Sequence, residues 1–192
     1  RLVPNLIIAS PINAIAFRNL LFTAQKGLDL PIAIRYPRGT IEKNLTGNLW
    51  QKEFETVEIG KIKQLSFGNE IAILSIGPIG NSIIEICKDM NYSSKIAHFD
   101  MQFLKPLDEN LMHQIAKNFT EILTIEDGTI VGGLGTTIID FLQENNFHNV
   151  QVKKLGIPDQ FIEHGTTKEL YKQVGLDINS IKKTIDKILI DS

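Results

Sequence analysis

Two arginines three positions apart are the strongest candidates for binding an anion. Arg35 and Arg38 lie in the run RYPRG, residues 35–39, directly after the apolar segment 32–34. A guanidinium can bind phosphate or carboxylate through two parallel N–H groups, and open α/β sheets bind ligands at the carboxyl ends of their strands. Arg38 is favoured because the proline and glycine beside it fix its backbone. The alternatives are an interdomain ion pair or a solvated loop.

Two glycine-containing segments could bind an anion through backbone N–H groups. Residues 132–135 (GGLG) lie between a predicted strand and a predicted helix, where the helix dipole favours negative charge. Residues 77–80 occupy the same kind of position, but they have neither the G-x-G-x-x-G spacing nor the G-K-[ST] ending of nucleotide sites. Nucleotide binding is therefore disfavoured, and a tight strand-to-helix turn is the simpler interpretation of these glycines.

Glu126 and Asp127 follow a predicted strand and could form a metal-binding or acid–base pair. Adjacent residues of a strand point to opposite faces of the sheet, so at most one of the two would enter a site from regular strand geometry. We assign no residue of this chain as a catalytic residue, a cofactor ligand or a metal ligand.

The four histidines are not spaced as a metal-binding pair on one helix. His98 alternates within a predicted strand, and His113 and His148 fall at positions predicted to be exposed. His164 lies in a loop just before residues 166–169, which have the Thr-x-x-Glu spacing of a capping box. Its position is more typical of a functional residue, but the sequence does not assign it a role.

Short apolar strands alternate with amphipathic helices along most of the chain. Residues 6–9, a helix capped by Ser10, and residues 32–34 are predicted to form a βαβ unit. After a linker, residues 56–65 and 71–76 are predicted to pair as a hairpin. The regular alternation that follows indicates an α/β domain with a largely parallel sheet; its later strands are predicted at 95–101, 122–125 and 150–155, with Asp108 capping one of its helices.

The composition is that of an ordinary globular protein. The chain has 192 residues, of which 43% are hydrophobic, and its net charge of −2 favours neither nucleic acid nor an anionic membrane. No apolar stretch reaches the roughly 18 residues of a membrane helix. One cysteine, Cys87, excludes an internal disulfide and is predicted to be an inert core thiol. The start at Arg1 without methionine indicates a piece of a longer protein.

Four segments, in their order and spacing, resemble the C-terminal portion of the 1-deoxy-D-xylulose-5-phosphate synthase family. They are residues 35–39, 105–108 (KPLD), 132–135 and 156–165 (GIPDQFIEHG). The two middle segments resemble transketolase-like enzymes more widely, including the pyruvate dehydrogenase beta subunit. The first and last segments point to the synthase, and the resemblance covers essentially the whole chain.

This resemblance implies a cytoplasmic, homodimeric transferase that uses thiamine diphosphate and Mg²⁺. Such enzymes condense pyruvate with D-glyceraldehyde 3-phosphate, releasing CO2, in non-mevalonate isoprenoid biosynthesis. It further implies that residues 1–43 are the end of a pyrimidine-binding domain, 44–66 a linker and first strand, and 67–192 a transketolase C-terminal domain. The expected fold is α/β, with a five-stranded mixed sheet, antiparallel at its first strand, after a βαβ remnant.

Within this chain the resemblance implies one substrate contact. Arg38 matches the arginine that holds the phosphate of glyceraldehyde 3-phosphate, and Arg35 is a weaker candidate for substrate binding. The groups that bind and activate the cofactor precede this segment in the family, so we expect the chain alone to be inactive. The family commonly has Glu-Glu-Asn where this chain has residues 126–128.

Two other functions remain open at this point. The chain could be a non-catalytic module for dimerisation or regulation, or a subunit of a split transketolase-like enzyme or 2-oxoacid decarboxylase. The exposure of Arg38 and the length of the source gene distinguish these from the synthase.

Overall fold

A computed structural model describes residues 1–37 and 53–191 of the chain. The described N-terminal region, residues 1–37, forms the expected βαβ unit from strand β1 (Ile7–Ala9), helix α1 (Ala14–Gln25) and strand β2 (Ile32–Ile34). β1 and β2 are parallel neighbours, with Ile7 opposite Ile32. The N-terminal region therefore presents the carboxyl ends of two parallel strands at one edge.

The predicted N-cap of α1 is wrong. The helix begins at Ala14, and the Asn13 side chain accepts a hydrogen bond from the Ala16 N–H at 2.9 Å. An asparagine carboxamide caps a helix as well as a serine hydroxyl does. Ser10 instead lies buried at the end of β1, and its Oγ has no hydrogen-bond partner among the described residues.

The predicted hairpin is also wrong. The next elements are β3 (Lys63–Gln64), β4 (Ile71–Ile76), α2 (Gly80–Ile86), α3 (Met90–Ser93) and β5 (Ile96–Asp100). β3 pairs antiparallel with β5, and β4 pairs parallel with β5. All six residues of β4 are buried, which is typical of a central strand in a sheet covered on both faces. The short β3 takes the edge instead.

The chain continues with β6 (Phe103–Lys105), α4 (Glu109–Asn118), β7 (Glu121–Thr129), α5 (Leu134–Glu144), β8 (Gln151–Ile157), α6 (Thr167–Gln173) and α7 (Ile178–Asp191). The main sheet has five strands in the order β3-β5-β4-β7-β8. All its pairs are parallel except β3 with β5. This confirms the predicted mixed sheet, antiparallel at its first strand.

Both faces of the main sheet are covered by helices. Alternate residues of β4 separate into two cores, because successive strand side chains point to opposite faces. Leu74 packs with residues of α4 and α5, including Met112 and Ile138, whereas Ile73 packs with residues of α2 and α7, including Ile83. The described residues include no helix whose length and hydropathy would let it cross a bilayer.

A strand that was not predicted connects the two regions of the chain. β6 pairs antiparallel with β1 and completes a three-stranded sheet in the order β2-β1-β6. Phe103 of β6 is buried with Ile7 and Leu20 of the N-terminal region. The C-terminal region, residues 53–191, therefore supplies part of the core under the N-terminal region.

Candidate functional site

The carboxyl ends of β1 and β2 face the C-terminal region. The Ser10 N–H donates to the Gln102 carbonyl at 2.9 Å, and the Asn81 side-chain amide donates to the Ile12 carbonyl at 2.8 Å. Gly77 lies against the Ser10 hydroxyl, where a Cβ would come within 2.5 Å of Oγ. These contacts bring the carboxyl end of β1, and with it that of its parallel neighbour β2, to the carboxyl edge of the main sheet. We call this contact region the junction.

Arg35 forms an ion pair across this junction. Its Nη1 lies 2.5 Å from Asp127 Oδ1, and its Nη2 donates to the Asp127 carbonyl at 2.7 Å. The Arg35 side chain is 52% exposed, whereas that of Asp127 is only 11% exposed. This contact is an ion pair between the two regions, one of the alternatives to ligand binding that the sequence left open.

Tyr171 of α6 supports Asp127 from the other side. Its hydroxyl donates to Asp127 Oδ2 at 3.3 Å. Burial, together with the negative charge of Asp127, raises the pKa of Tyr171 to about 12. The phenol therefore keeps its proton at neutral pH and remains a donor to the carboxylate.

Arg38 lies outside the described residues. The chain leading to it is held up to Tyr36: the Arg35 N–H donates to the Ala9 carbonyl at 2.8 Å, which continues the pairing of β1 and β2. The Tyr36 ring lies 4.7 Å from that of Phe17 on α1.

The glycines at 132–135 adjoin a helix N-terminus that the chain's own carboxylate already fills. Glu126 accepts hydrogen bonds from the Leu134 N–H at 3.0 Å and the Gly135 N–H at 3.3 Å. A Cβ on Gly133 would overlap with the Glu126 carboxylate. Burial raises the pKa of Glu126, against the effect of these two N–H groups. The segment is a tight strand-to-helix turn built around Glu126, which agrees with the simpler interpretation of these glycines.

A buried Ser–His contact lies inside the main sheet. Ser75 Oγ is 2.8 Å from His98 Nε2, and both side chains are fully buried. The Asp100 carboxylate accepts from the Gln102 N–H, and His98 Nδ1 has no hydrogen-bond partner among the described residues. A catalytic triad needs a carboxylate on that nitrogen and access for substrate, so this pair is structural.

Burial also sets the charge of these groups. It lowers the pKa of His98 to about 4 and raises the pKa of Asp100 to about 7. His98 lies within a strand, as predicted, whereas Asp100 was not among the residues that the sequence singled out. Its position two residues further along the same strand was the available signal.

The remaining histidines and the cysteine are not grouped into a site. The prediction that His113 is exposed is wrong: it is half-buried and bonds to the Glu109 carbonyl and to the Asn145 side chain. His148 and His164 are exposed. Cys87 is half-buried, and burial raises the pKa of its thiol. Across residues 1–37 and 53–191, no three His, Cys, Asp or Glu side chains are grouped so that they could hold a metal ion.

Two surface clefts of about 330 Å³ each lie away from the junction. One is lined by Gln64, by residues 67–69 and by residues of α4, and the other by residues that include Lys105, Glu109 and Asp140. Arg35 and Asp127 line neither of them. At the junction itself, the guanidinium of Arg35 is half-exposed.

Comparison with known proteins places this fold. A 1-deoxy-D-xylulose-5-phosphate synthase from Parabacteroides distasonis is 46% identical over 97% of this chain, and those from Cytophaga hutchinsonii and Vibrio parahaemolyticus are 44% and 38% identical over 96% and 98% of it. The chain spans 29% of the length of each of these relatives.

A solved structure with the same fold is titled "Split gene transketolase, inactive beta4 tetramer". It superposes with a TM-score of 0.82 over 99% of this chain and 59% of the other, at 24% identity. The sequence profile described as "Transketolase, C-terminal domain" matches residues 60–181. These residues include β3, the whole parallel sheet and Asp127. The chain belongs to the transketolase C-terminal domain family.

Proposed function

We propose that this chain is the C-terminal part of a 1-deoxy-D-xylulose-5-phosphate synthase. The observation that carries the proposal is the 38–46% identity, along almost the whole chain, to relatives of that name. The complete enzyme would be a thiamine-diphosphate-dependent transferase that condenses pyruvate with D-glyceraldehyde 3-phosphate and releases CO2. It would be a cytoplasmic homodimer that supplies isoprenoid biosynthesis.

We propose that Arg38 binds the phosphate group of glyceraldehyde 3-phosphate. Arg38 follows β2, whose carboxyl end lies at the junction, and strand ends of this kind are where open α/β sheets bind ligands. The Arg35 guanidinium is bound by Asp127. Arg38 is therefore the first candidate for binding the phosphate, and Arg35 has a secondary role in substrate binding.

The described residues do not fit thiamine diphosphate or Mg²⁺. The helix N-terminus at α5, which could have received a diphosphate, is filled by Glu126. The described ranges also contain no cluster of three metal-binding side chains. We propose that other parts of a longer protein bind the cofactor and that this chain alone is inactive.

Steady-state kinetics of the longer protein test the role of Arg38. Arg38→Ala should raise the KM for glyceraldehyde 3-phosphate by about 10- to 150-fold, as expected for about 1.5–3 kcal/mol from a charge-assisted contact. The KM for pyruvate should change less than about twofold, because pyruvate carries no phosphate. Lys183→Ala, which removes an exposed cation on α7, is the matched control.

Two results would contradict the proposal. An equal change in both KM values would make Arg38 a structural residue. Turnover by the purified 192-residue chain with added thiamine diphosphate and Mg²⁺ would show that the cofactor site lies within it.

A further inference from the structure

We propose that the cleft lined by Gln64, residues 67–69 and α4 binds a small uncharged heteroaromatic molecule, such as the purine base of a nucleoside. We call it the β3–α4 cleft. It lies away from the junction, so the inference goes beyond the proposed function and does not depend on it. Its volume of about 330 Å³ is at the lower end of the range for small-molecule sites, which suits one molecule of nucleoside size.

The β3–α4 cleft has an apolar floor and a polar, uncharged rim. Phe99 and Ile115 are the buried part of its lining, whereas Asn69, Gln114 and Asn118 are exposed. Among the described residues that line it, none carries a charge. A flat heteroaromatic ring matches this arrangement, because its faces pack on the floor while its polar edge reaches the rim. A sugar or an ion would place unpaired polar groups against the apolar floor, which is unfavourable.

The carboxamides of the rim are suited to the edge of such a ring. A carboxamide presents both an acceptor and donors, and Asn or Gln can bind the adjacent donor and acceptor of adenine together. Within residues 1–37 and 53–191, no group is hydrogen-bonded to the carboxamide of Asn69, Gln114 or Asn118. The Gln64 amide nitrogen donates to the Ser66 carbonyl at 3.1 Å, which leaves the Gln64 oxygen as an acceptor. The rim therefore offers both donors and acceptors to a ligand.

A tightly held loop presents an aromatic ring at this cleft. The Gly68 N–H donates to the Ile96 carbonyl at 3.0 Å, and Ser66 Oγ donates to the same carbonyl at 2.8 Å. A Cβ on Gly68 would overlap with the backbone of Lys95 and Ile96, so the loop lies directly on the start of β5. Between these contacts, Phe67 stays 80% exposed. The loop forgoes the stabilisation that burial of a phenyl ring provides, and it holds a surface on which a base can stack.

Isothermal titration of the 192-residue chain with adenosine tests the proposal. We expect a Kd on the order of 0.1 mM, as the usual ligand efficiency gives for a molecule of this size. Purine riboside, which lacks the amino group of adenosine, should bind several-fold more weakly, because it offers no donor to the carboxamides. Adenosine monophosphate should bind no more tightly than adenosine, because no cation lines the cleft among the described residues.

Two variants with matched controls locate the binding. Phe67→Ala should raise the Kd for adenosine about tenfold through loss of stacking, and Gln114→Met should raise it about three- to tenfold through loss of a hydrogen bond. The controls are Phe161→Ala and Gln143→Met, which change exposed residues outside the cleft and should leave the Kd unchanged. The Tm should stay the same in all four variants, because the substituted side chains are exposed.

Three results would overturn the proposal. They are no detectable binding at ten times the expected Kd, equal effects of the cleft variants and their controls, and tighter binding of adenosine monophosphate than of adenosine. In a nitrogen-15 NMR titration, shifts of the Gly68 and Asn69 amides would support the proposal, and shifts confined to the junction would contradict it. Binding needs no turnover, so failure of this test would leave the proposed function untouched.

Discussion

Asp100 gives the sharpest prediction about stability. It lies at the end of β5 with 2% of its surface exposed. Burial raises the pKa of this carboxyl from 3.8 to about 7, although the Gln102 N–H and the charge of Lys63 oppose the shift. Asp100→Asn keeps the side-chain oxygen that accepts from Gln102 and removes the ionisation.

The sign of the effect follows from where the proton is bound. Between pH 3.8 and about 7 the folded chain keeps the proton on Asp100 while the unfolded chain has lost it. The free energy of unfolding therefore falls as the pH rises, by about 1.4 kcal/mol per pH unit and about 4 kcal/mol in all. Relative to the parent, Asp100→Asn should gain this amount between pH 4 and pH 7.

His98 has the opposite effect. Burial lowers its pKa from 6.5 to about 4, so the unfolded chain binds a proton in this range that the folded chain does not. Stability therefore falls as the pH drops from 6.5 to 4, by about 3 kcal/mol. In the parent, the pH dependences of stability due to the two buried groups offset one another over this range. In His98→Gln, the free energy of unfolding should vary with pH as Asp100 alone predicts.

Urea unfolding followed by far-UV circular dichroism at pH 5, 6, 7 and 8 measures these slopes. The difference between Asp100→Asn and the parent should grow by about 3 kcal/mol from pH 5 to pH 7 and then level off. A difference that is constant from pH 5 to pH 8 would refute the reasoning, because it would mean that Asp100 is ionised in the folded state throughout.

Two local features give further predictions, both measurable by thermal or urea unfolding. Gly133→Ala should lower the free energy of unfolding by about 2–3 kcal/mol, because the new Cβ overlaps with the Glu126 carboxylate. Gly132→Ala, where φ is +71° and the space around the Cβ is open, should lower it by only about 1 kcal/mol through backbone strain. Equal losses in the two variants would contradict the account of this turn. Thr166→Ala should cost about 1 kcal/mol, because it removes the capping box of α6; an unchanged Tm would show that the box contributes nothing.

Local patterns predicted the elements that depend only on neighbouring residues. The Asp108 cap of α4 and the capping box at Thr166 were both predicted from the sequence, because each joins groups three positions apart. The alternation of apolar and amphipathic segments predicted the α/β sheet for the same reason. The resemblance in four segments was confirmed by the comparisons, since spacing along a chain does not depend on contacts.

Local sequence patterns did not predict which strands pair with each other. Residues 63–64 and 71–76 looked like a hairpin, yet β3 joined β5, because two parallel neighbours occupy the edges of β4. Nothing local marked residues 103–105 as a strand, since their pairing is with β1, almost a hundred residues earlier. Choosing a partner is a question of which edges and faces remain uncovered after the rest of the chain has packed.

The candidate site, like the fold, was determined partly by the sequence and partly by the tertiary structure. The sequence by itself placed Arg35 and Arg38 at a strand end, showed that at most one of Glu126 and Asp127 could enter a site from regular strand geometry, and left the partner of Arg35 undecided. The tertiary structure brought Asp127 to Arg35 across 92 positions and turned Glu126 onto the N-terminus of α5. Residue types and spacing determine what chemistry a side chain can do, but its charge state and its partner depend on burial and on distant contacts, which exist only after folding.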